Sequence, residues 1–140
     1  MSDNAPTYTS TNRPRVLYLS HAPEDIYDVV RRMAGEDIDL VLLPDNDEAA
    51  RCAALADCDA VVVASYRLTT AHLAAAKKLQ LVHHQGVGWH DTTDWKTIRD
   101  RDIKLAITLS GSTISVAEHT LMLMLAACRH LAHADAELRK

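Results

Sequence analysis

The sequence predicts an α/β domain with a parallel five-stranded sheet in three layers, followed by one long helix. Three observations lead there. Short β-favouring apolar runs recur at 15–20, 38–44, 59–65, 81–84 and 103–108. Between them lie stretches of about ten residues whose apolar positions recur at helical spacing. The last stretch, 116–138, is instead apolar nearly all the way round.

RVLYLS (15–20) begins just after Pro14 and reads as the first strand. Pro23 sits where the first turn of a helix tolerates proline. Ile26, Val29, Val30 and Met33 then recur at helical spacing until Gly35 supplies a stop. IDLVLLP (38–44) is a second strand, closed by proline. In DNDEAARCAALA, Asp45 stands three residues before Glu48, a capping-box spacing that opens an alanine-rich helix. DAVVVAS (59–65) is nearly all apolar, the composition of a central strand covered on both faces. Thr69 or Thr70 caps a helix through Lys78, and LQLVHHQ holds a fourth strand at 81–84. Asp94 caps a helix to Arg101, and IKLAIT (103–108) is the fifth strand. Short strands alternating with helices call for right-handed crossovers and helices on both faces. The expected architecture is therefore flavodoxin-like or Rossmann-like.

Composition narrows the function. With 48% apolar and 24% charged residues, the chain has the make-up of an ordinary globular domain. Its formal net charge is −4, and Lys and Arg are scattered, so it carries no electrostatic footprint for nucleic acid or acidic membranes. Three cysteines (Cys52, Cys58, Cys128) with no CxxC suggest neither a disulfide framework nor a zinc knuckle, and read as reduced thiols of a cytoplasmic protein. Residues 1–14 are polar and lack the apolar core of a secretory signal, so they read as a flexible tail. The most apolar run, 120–128, is far shorter than the roughly 20 residues of a membrane span.

The segment 116–138 reads as one long helix. A helix apolar on every face wants burial on every face, which one edge of a small sheet does not provide. One of Ser112, Thr113 and Ser115 is expected to cap it.

The ordered set Gly86-Val87-Gly88, Asp94, Asp102-Ile103-Lys104-Leu105, Leu109-Ser110-Gly111-Ser112-Thr113 and Val116-Ala117-Glu118-His119 resembles the D-isomer-specific 2-hydroxyacid dehydrogenase family, in particular its phosphoglycerate dehydrogenase-like members. The resemblance covers about sixty residues closely, with compatible topology before them. It implies a flexible tail (1–14), a substrate domain (15–111), and a linker and dimerisation helix (112–140) leading to an absent NAD-binding domain. It also implies a homodimer through 116–138. The substrate would be a small 2-hydroxy or 2-keto acid and the cofactor NAD or NADP in the full-length enzyme, with none expected for this chain alone. The turn Gly86, Val87, Gly88 would hold the substrate carboxylate, with Ser65 and Arg67 on a second substrate-facing loop. Ser112 and Thr113 would come near the nicotinamide.

The residues themselves support part of this. Glycines let backbone N–H groups approach an anion closely, although a two-glycine turn also occurs without a ligand. Arg67 suits a carboxylate, although a loop arginine is usually just solvated. Trp89-His90-Asp91 departs from the Asp-Asn pair of many relatives, and Leu109-Ser110-Gly111-Ser112 from their Pro-Gly-Gly-Asn, which leaves the particular acid open. The four glycines (Gly35, Gly86, Gly88, Gly111) form no dinucleotide fingerprint. The family's catalytic Arg, Glu and His lie beyond Lys140, so no catalytic residue is assigned. Glu118 and His119 are expected to hydrogen-bond at an interdomain hinge. No metal site is expected: His83 and His84 point to opposite faces of a strand, and His130 and His133 share a helix face with no further donor. Receiver and flavodoxin functions are excluded, because Ser20-His21-Ala22-Pro23 and Ala64-Ser65-Tyr66 carry neither an aspartate nor a phosphate loop. Two readings stand: the substrate-domain portion of a dehydrogenase, inactive alone, or a free-standing binding and dimerisation module of the same fold.

Overall fold

A computed structural model of the protein describes residues 13–109 and 111–140. The first twelve residues of the expected tail, and Ser110, lie outside the described residues. The chain divides into two compact units, one ending at Thr108 and the other spanning Leu109–Lys140.

The first unit alternates strand and helix throughout. Its elements are β1 (Arg15–Tyr18), α1 (Glu24–Ala34), β2 (Asp39–Val41), α2 (Glu48–Leu55), β3 (Ala60–Val63), α3 (Thr70–Ala75), β4 (Leu81–His84), α4 (Trp95–Asp100) and β5 (Lys104–Ile107). All strand pairs are parallel, in the order β2-β1-β3-β4-β5. This is the flavodoxin-like order. Only the β1-to-β2 crossover runs against the direction of the others, so a common handedness puts α1 on one face and α2, α3 and α4 on the other.

The two faces are unequally covered. Leu17, Val61, Val63 and Val82 point toward the three-helix side and join Leu55, Leu73 and Ile98 in the core. The opposite face, with Val16, Tyr18, Val62 and His83, meets only α1 among the described residues of this unit and borders an apolar groove of about 400 Å³. The central strand is therefore fully covered on one face only: Val61 and Val63 are buried, whereas Ala60 and Val62 are half-buried.

Several helix ends differ from the sequence expectation. Asp47, not Asp45, caps α2 by accepting from Ala50 N at 2.8 Å. Asp45 instead accepts from Asp47 N, and Asn46 accepts from Arg51 Nη2 at 2.7 Å, so both are committed before the helix starts. Thr69 caps α3 in a capping box with His72. That helix stops at Ala75 rather than Lys78, because Ala76 and Leu79 leave helical geometry to fill the core. Asp94 caps α4 as expected.

The second unit corrects the single long helix into two, α5 (Ser112–Cys128) and α6 (Leu131–Leu138). His130, at φ +52°, takes the left-handed conformation between them. Such a residue ends a helix by turning the next N–H groups away from the ladder. His130 and His133 are thus not partners on one helix face. The N-cap of α5 is Gly111, so Ser112, Thr113 and Ser115 lie inside the helix rather than at its cap. No side chain of α5 is buried.

One buried charge organises the first unit. Arg51 is 0% exposed although it sits in an alanine-rich helix. Its Nε donates to Leu19 O at 3.2 Å, Nη1 to Glu48 Oε2 at 3.0 Å and Nη2 to Asn46 Oδ1. Its guanidinium lies 3.7 Å from the centre of the Tyr66 ring. Replacing it with an apolar side chain strands those acceptors. Arg51→Met is expected to cost about 3 kcal/mol, as loss of one partner of a buried charged network typically does. Urea unfolding measures this; a midpoint equal to wild type would contradict the assignment.

Candidate functional site

Open α/β sheets bind ligands outside the carboxyl ends of their strands. Here the connections after β1, β3 and β4 meet at that edge. Val63 pairs with His84 across β3 and β4, so Ser65 and Gly86, each two residues on, leave adjacent strands side by side. Gln85 N donates to Val63 O at 2.8 Å, locking that exit. Further along, Leu68 N donates to Thr92 O at 2.7 Å and Asp94 N to Leu68 O at 3.2 Å, a short parallel bridge between the two loops. The substrate residues expected on the first unit, Ser65, Arg67, Gly86, Val87 and Gly88, all lie on these two loops. Ser112 and Thr113 belong to the second unit, in the first turn of α5.

Gly86 carries the geometry of the turn. Its φ of +148° is a region that side chains rarely enter. The ring of His84 lies against it, with Cε1 3.5 Å from where a Cβ would sit. His84 is buried, and among the described residues neither of its ring nitrogens has a hydrogen-bond partner. Gly88 has open space on its Cβ side, Val87 is exposed, and Ser65 and Arg67 are also exposed. These surfaces are open to a solute at the sheet edge.

The loops are held from behind by two polar knots. Asp94 accepts from Thr70 Oγ1 at 2.7 Å and Thr97 Oγ1 at 2.8 Å, joining the starts of α3 and α4. The Thr70 bond, then those from Thr97, keep its carboxyl below the usual aspartate range. In the second knot, Tyr66 Oη donates to Glu48 Oε2 at 2.8 Å, and Tyr66 N donates to Ser20 Oγ at 3.3 Å. The Tyr66 bond, helped by His72 and Arg51, holds Glu48 below the usual glutamate range.

Glu48, Cys52 and His72 bring one donor atom each within 4.8 Å, a group that the sequence reading missed. Glu48 and Cys52 share a face of α2 by their spacing; His72 arrives from α3, which no sequence period reveals. The group fits a cation poorly. His72 Nδ1 accepts from Thr69 N at 3.0 Å, which places the neutral ring's proton on Nε2, the atom facing Glu48 at 2.7 Å. Arg51 already occupies the other Glu48 oxygen. The cluster is a polar tie between α2 and α3.

Comparison with known proteins agrees with this fold. Residues 16–137 match the family model for the D-isomer specific 2-hydroxyacid dehydrogenase catalytic domain. The chain belongs to that family. It is 36% identical over 106 residues to the D-3-phosphoglycerate dehydrogenase of Mycobacterium leprae, covering 75% of this chain and 20% of that protein. It is 31% identical over 127 residues to the same enzyme of Archaeoglobus fulgidus, covering 90% of this chain and 23% of that protein. Among solved structures, a 2-hydroxyacid dehydrogenase from Ketogulonicigenium vulgare superposes with a TM-score of 0.70 at 25% identity, over 92% of this chain and 40% of that one. The chain thus spans about a fifth of the length of the curated family members it matches.

The turn geometry separates its two glycines. Gly86→Ala is expected to cost about 1–3 kcal/mol through backbone strain, whereas Gly88→Ala stays within about 0.5 kcal/mol. Thermal or urea unfolding of the pair measures the difference, and equal effects would refute it.

Proposed function

We propose that the chain supplies the acid-binding side of an NAD(P)-dependent oxidoreductase acting on the CH–OH group of a D-2-hydroxy acid, or reducing the matching 2-keto acid. The observation that carries this reading is the Gly86-Val87-Gly88 turn, standing open at the carboxyl edge of a family-typed sheet. Gly86 N donates to His84 O at 2.9 Å, which leaves the N–H groups of Val87 and Gly88 to meet a carboxylate, and Arg67 on the neighbouring loop adds a positive charge. Ser65 borders the same edge.

Bound nicotinamide would accept or donate the hydride. The first βα connection of this chain does not fit a dinucleotide: Ser20-His21-Ala22-Pro23 has no glycine, and Pro23 caps α1 without a side-chain bond. From this chain, only Ser112 and Thr113 are proposed to come near the nicotinamide. No group here is assigned to proton transfer, so the isolated chain is expected to lack activity. We further take it to be cytoplasmic, in keeping with its three free cysteines, and homodimeric through 116–138. No helix among the described residues is long and apolar enough to cross a membrane.

That no side chain of α5 is buried also favours a second reading, a dimerisation module without catalysis. Calorimetry decides between them. The acid-binding reading predicts that 2-ketobutyrate binds and its neutral amide, 2-ketobutyramide, does not, with Arg67→Ala weakening binding by up to about fivefold, the worth of an exposed ion pair. Equal heats for acid and amide, or none for either, would remove this reading. NADH oxidation by the isolated chain with a 2-keto acid would remove the expected inactivity.

A further inference from the structure

The sheet edge that presents the Gly86-Val87-Gly88 turn is short of cations. In the connections after β1 (19–23), β3 (64–69) and β4 (85–94), the one formal cation is Arg67, against Asp91 and Asp94. Asp91 is exposed and stands three residues past Gly88, so chain reach alone keeps their Cα atoms within about 11 Å. Thr92 N and Thr93 N both donate to Trp89 O, at 3.2 and 3.0 Å, and this tight turn holds Asp91 near the glycines. Asp94 and Glu48 place further carboxylates behind the same loops, bonded to Thr70 and Tyr66 respectively. Of the neighbouring cations, Arg51 is buried and committed to Glu48, and Lys96 lies within α4.

Helix N-termini are the usual alternative for holding a phosphate, because their first N–H groups lack helical partners and the dipole favours negative charge. Four helices of the first unit begin at this edge, and each start is already occupied. α1 carries Glu24 and Asp25 in its first turn. Asp47 caps α2 by accepting from Ala50 N, with Glu48 in the first turn. Thr69 caps α3 and Asp94 caps α4, accepting from His72 N and Thr97 N. Three of the four starts therefore carry a carboxylate, which repels an approaching anion. What the edge offers, the N–H groups of Val87 and Gly88 with Arg67, is the complement of one carboxylate.

We propose that this edge selects singly charged, unphosphorylated 2-hydroxy or 2-keto acids: Arg67 attracts the carboxylate, while Asp91 and the occupied helix starts turn away a second anion. A phosphate group adds roughly two negative charges near neutral pH. At this edge those charges meet carboxylates without a further cation to pair with. Like charges placed in this way are a general means of rejecting a competitor. The groups beyond C2 of the preferred acid are accordingly uncharged. This rests on the acid-binding reading above and narrows its substrate.

D-Glycerate and D-3-phosphoglycerate differ only in the phosphate, and titrating each into the 140-residue chain tests the two levels separately. At low salt and pH 8, where histidine ordinarily carries no charge, D-glycerate is expected to bind about fivefold tighter or more. Added salt narrows the ratio, as screening of exposed charges requires. D91N and D91K shift the ratio progressively toward the phosphorylated acid, D91K by about fivefold. The reason is that a charge at this position acts on roughly three negative charges in one ligand and one in the other. A merely structural disturbance would weaken both acids alike and leave the ratio in place. D-3-phosphoglycerate binding as tightly as D-glycerate, or a ratio that neither variant moves, overturns the selection and leaves the acid-binding reading standing. Binding of neither acid removes that reading and the selection with it.

Discussion

A guanidinium withdrawn from water must find acceptors, and Arg51 finds them in separate parts of the chain. It takes the carbonyl of Leu19 beyond β1, the side chain of Asn46 before α2 and Glu48 on α2. It also stacks on Tyr66, which lies in the loop after β3. Glu48 extends the chain of contacts to His72 on α3 and to the Tyr66 hydroxyl. None of these groups can move far without leaving a buried charge unpaired, a costly state in a low-dielectric interior. The exits of β1 and β3 and the start of α3 are thereby fixed to one another. The edge on which Ser65, Arg67 and Gly86 stand inherits its rigidity from this network and from the Asp94 knot beside it.

The strands and their order of appearance were legible because burial selects apolar, β-branched runs, and 15–20, 59–65 and 103–108 are such runs. The Asp94 cap and the Gly35 stop were legible for local reasons, since each acts within one turn of its own helix. What escaped depends on contacts distant in sequence. Arg51 looks like a solvated position in an alanine-rich helix, and only the fold reveals that it points inward. Asp47 displaced Asp45 as the cap because Asn46 and Asp45 had other obligations. The break at His130 has neither glycine nor proline to announce it. Ala60 and Val62 read as fully buried, yet among the described residues of the unit α1 is the one helix on their face.

At the candidate site, the residues named from the sequence share one sheet edge, but their geometries are unequal. Gly86 and Gly88 look equivalent in the string, yet only Gly86 occupies a conformation that demands glycine. Gly88 leaves open space where a Cβ would sit, and the turn makes no such demand on it. His84 beneath Gly86 was read only as a strand residue; its burial and its unpartnered nitrogens are features of the folded turn. The helix that follows shows the converse case: its apolar excess was plain in the sequence, whereas its end at Cys128 was not.

The central claim is that the Gly86-Val87-Gly88 turn holds a carboxylate through its backbone. Amide chemical-shift mapping of the 15N-labelled 140-residue chain during titration with 2-ketobutyrate addresses it most directly. The account predicts saturable shifts centred on the amides of Gly86, Val87 and Gly88, with Gly35 unmoved as an internal control. Saturable shifts confined to other residues, or no shift at the turn at any concentration, would contradict it.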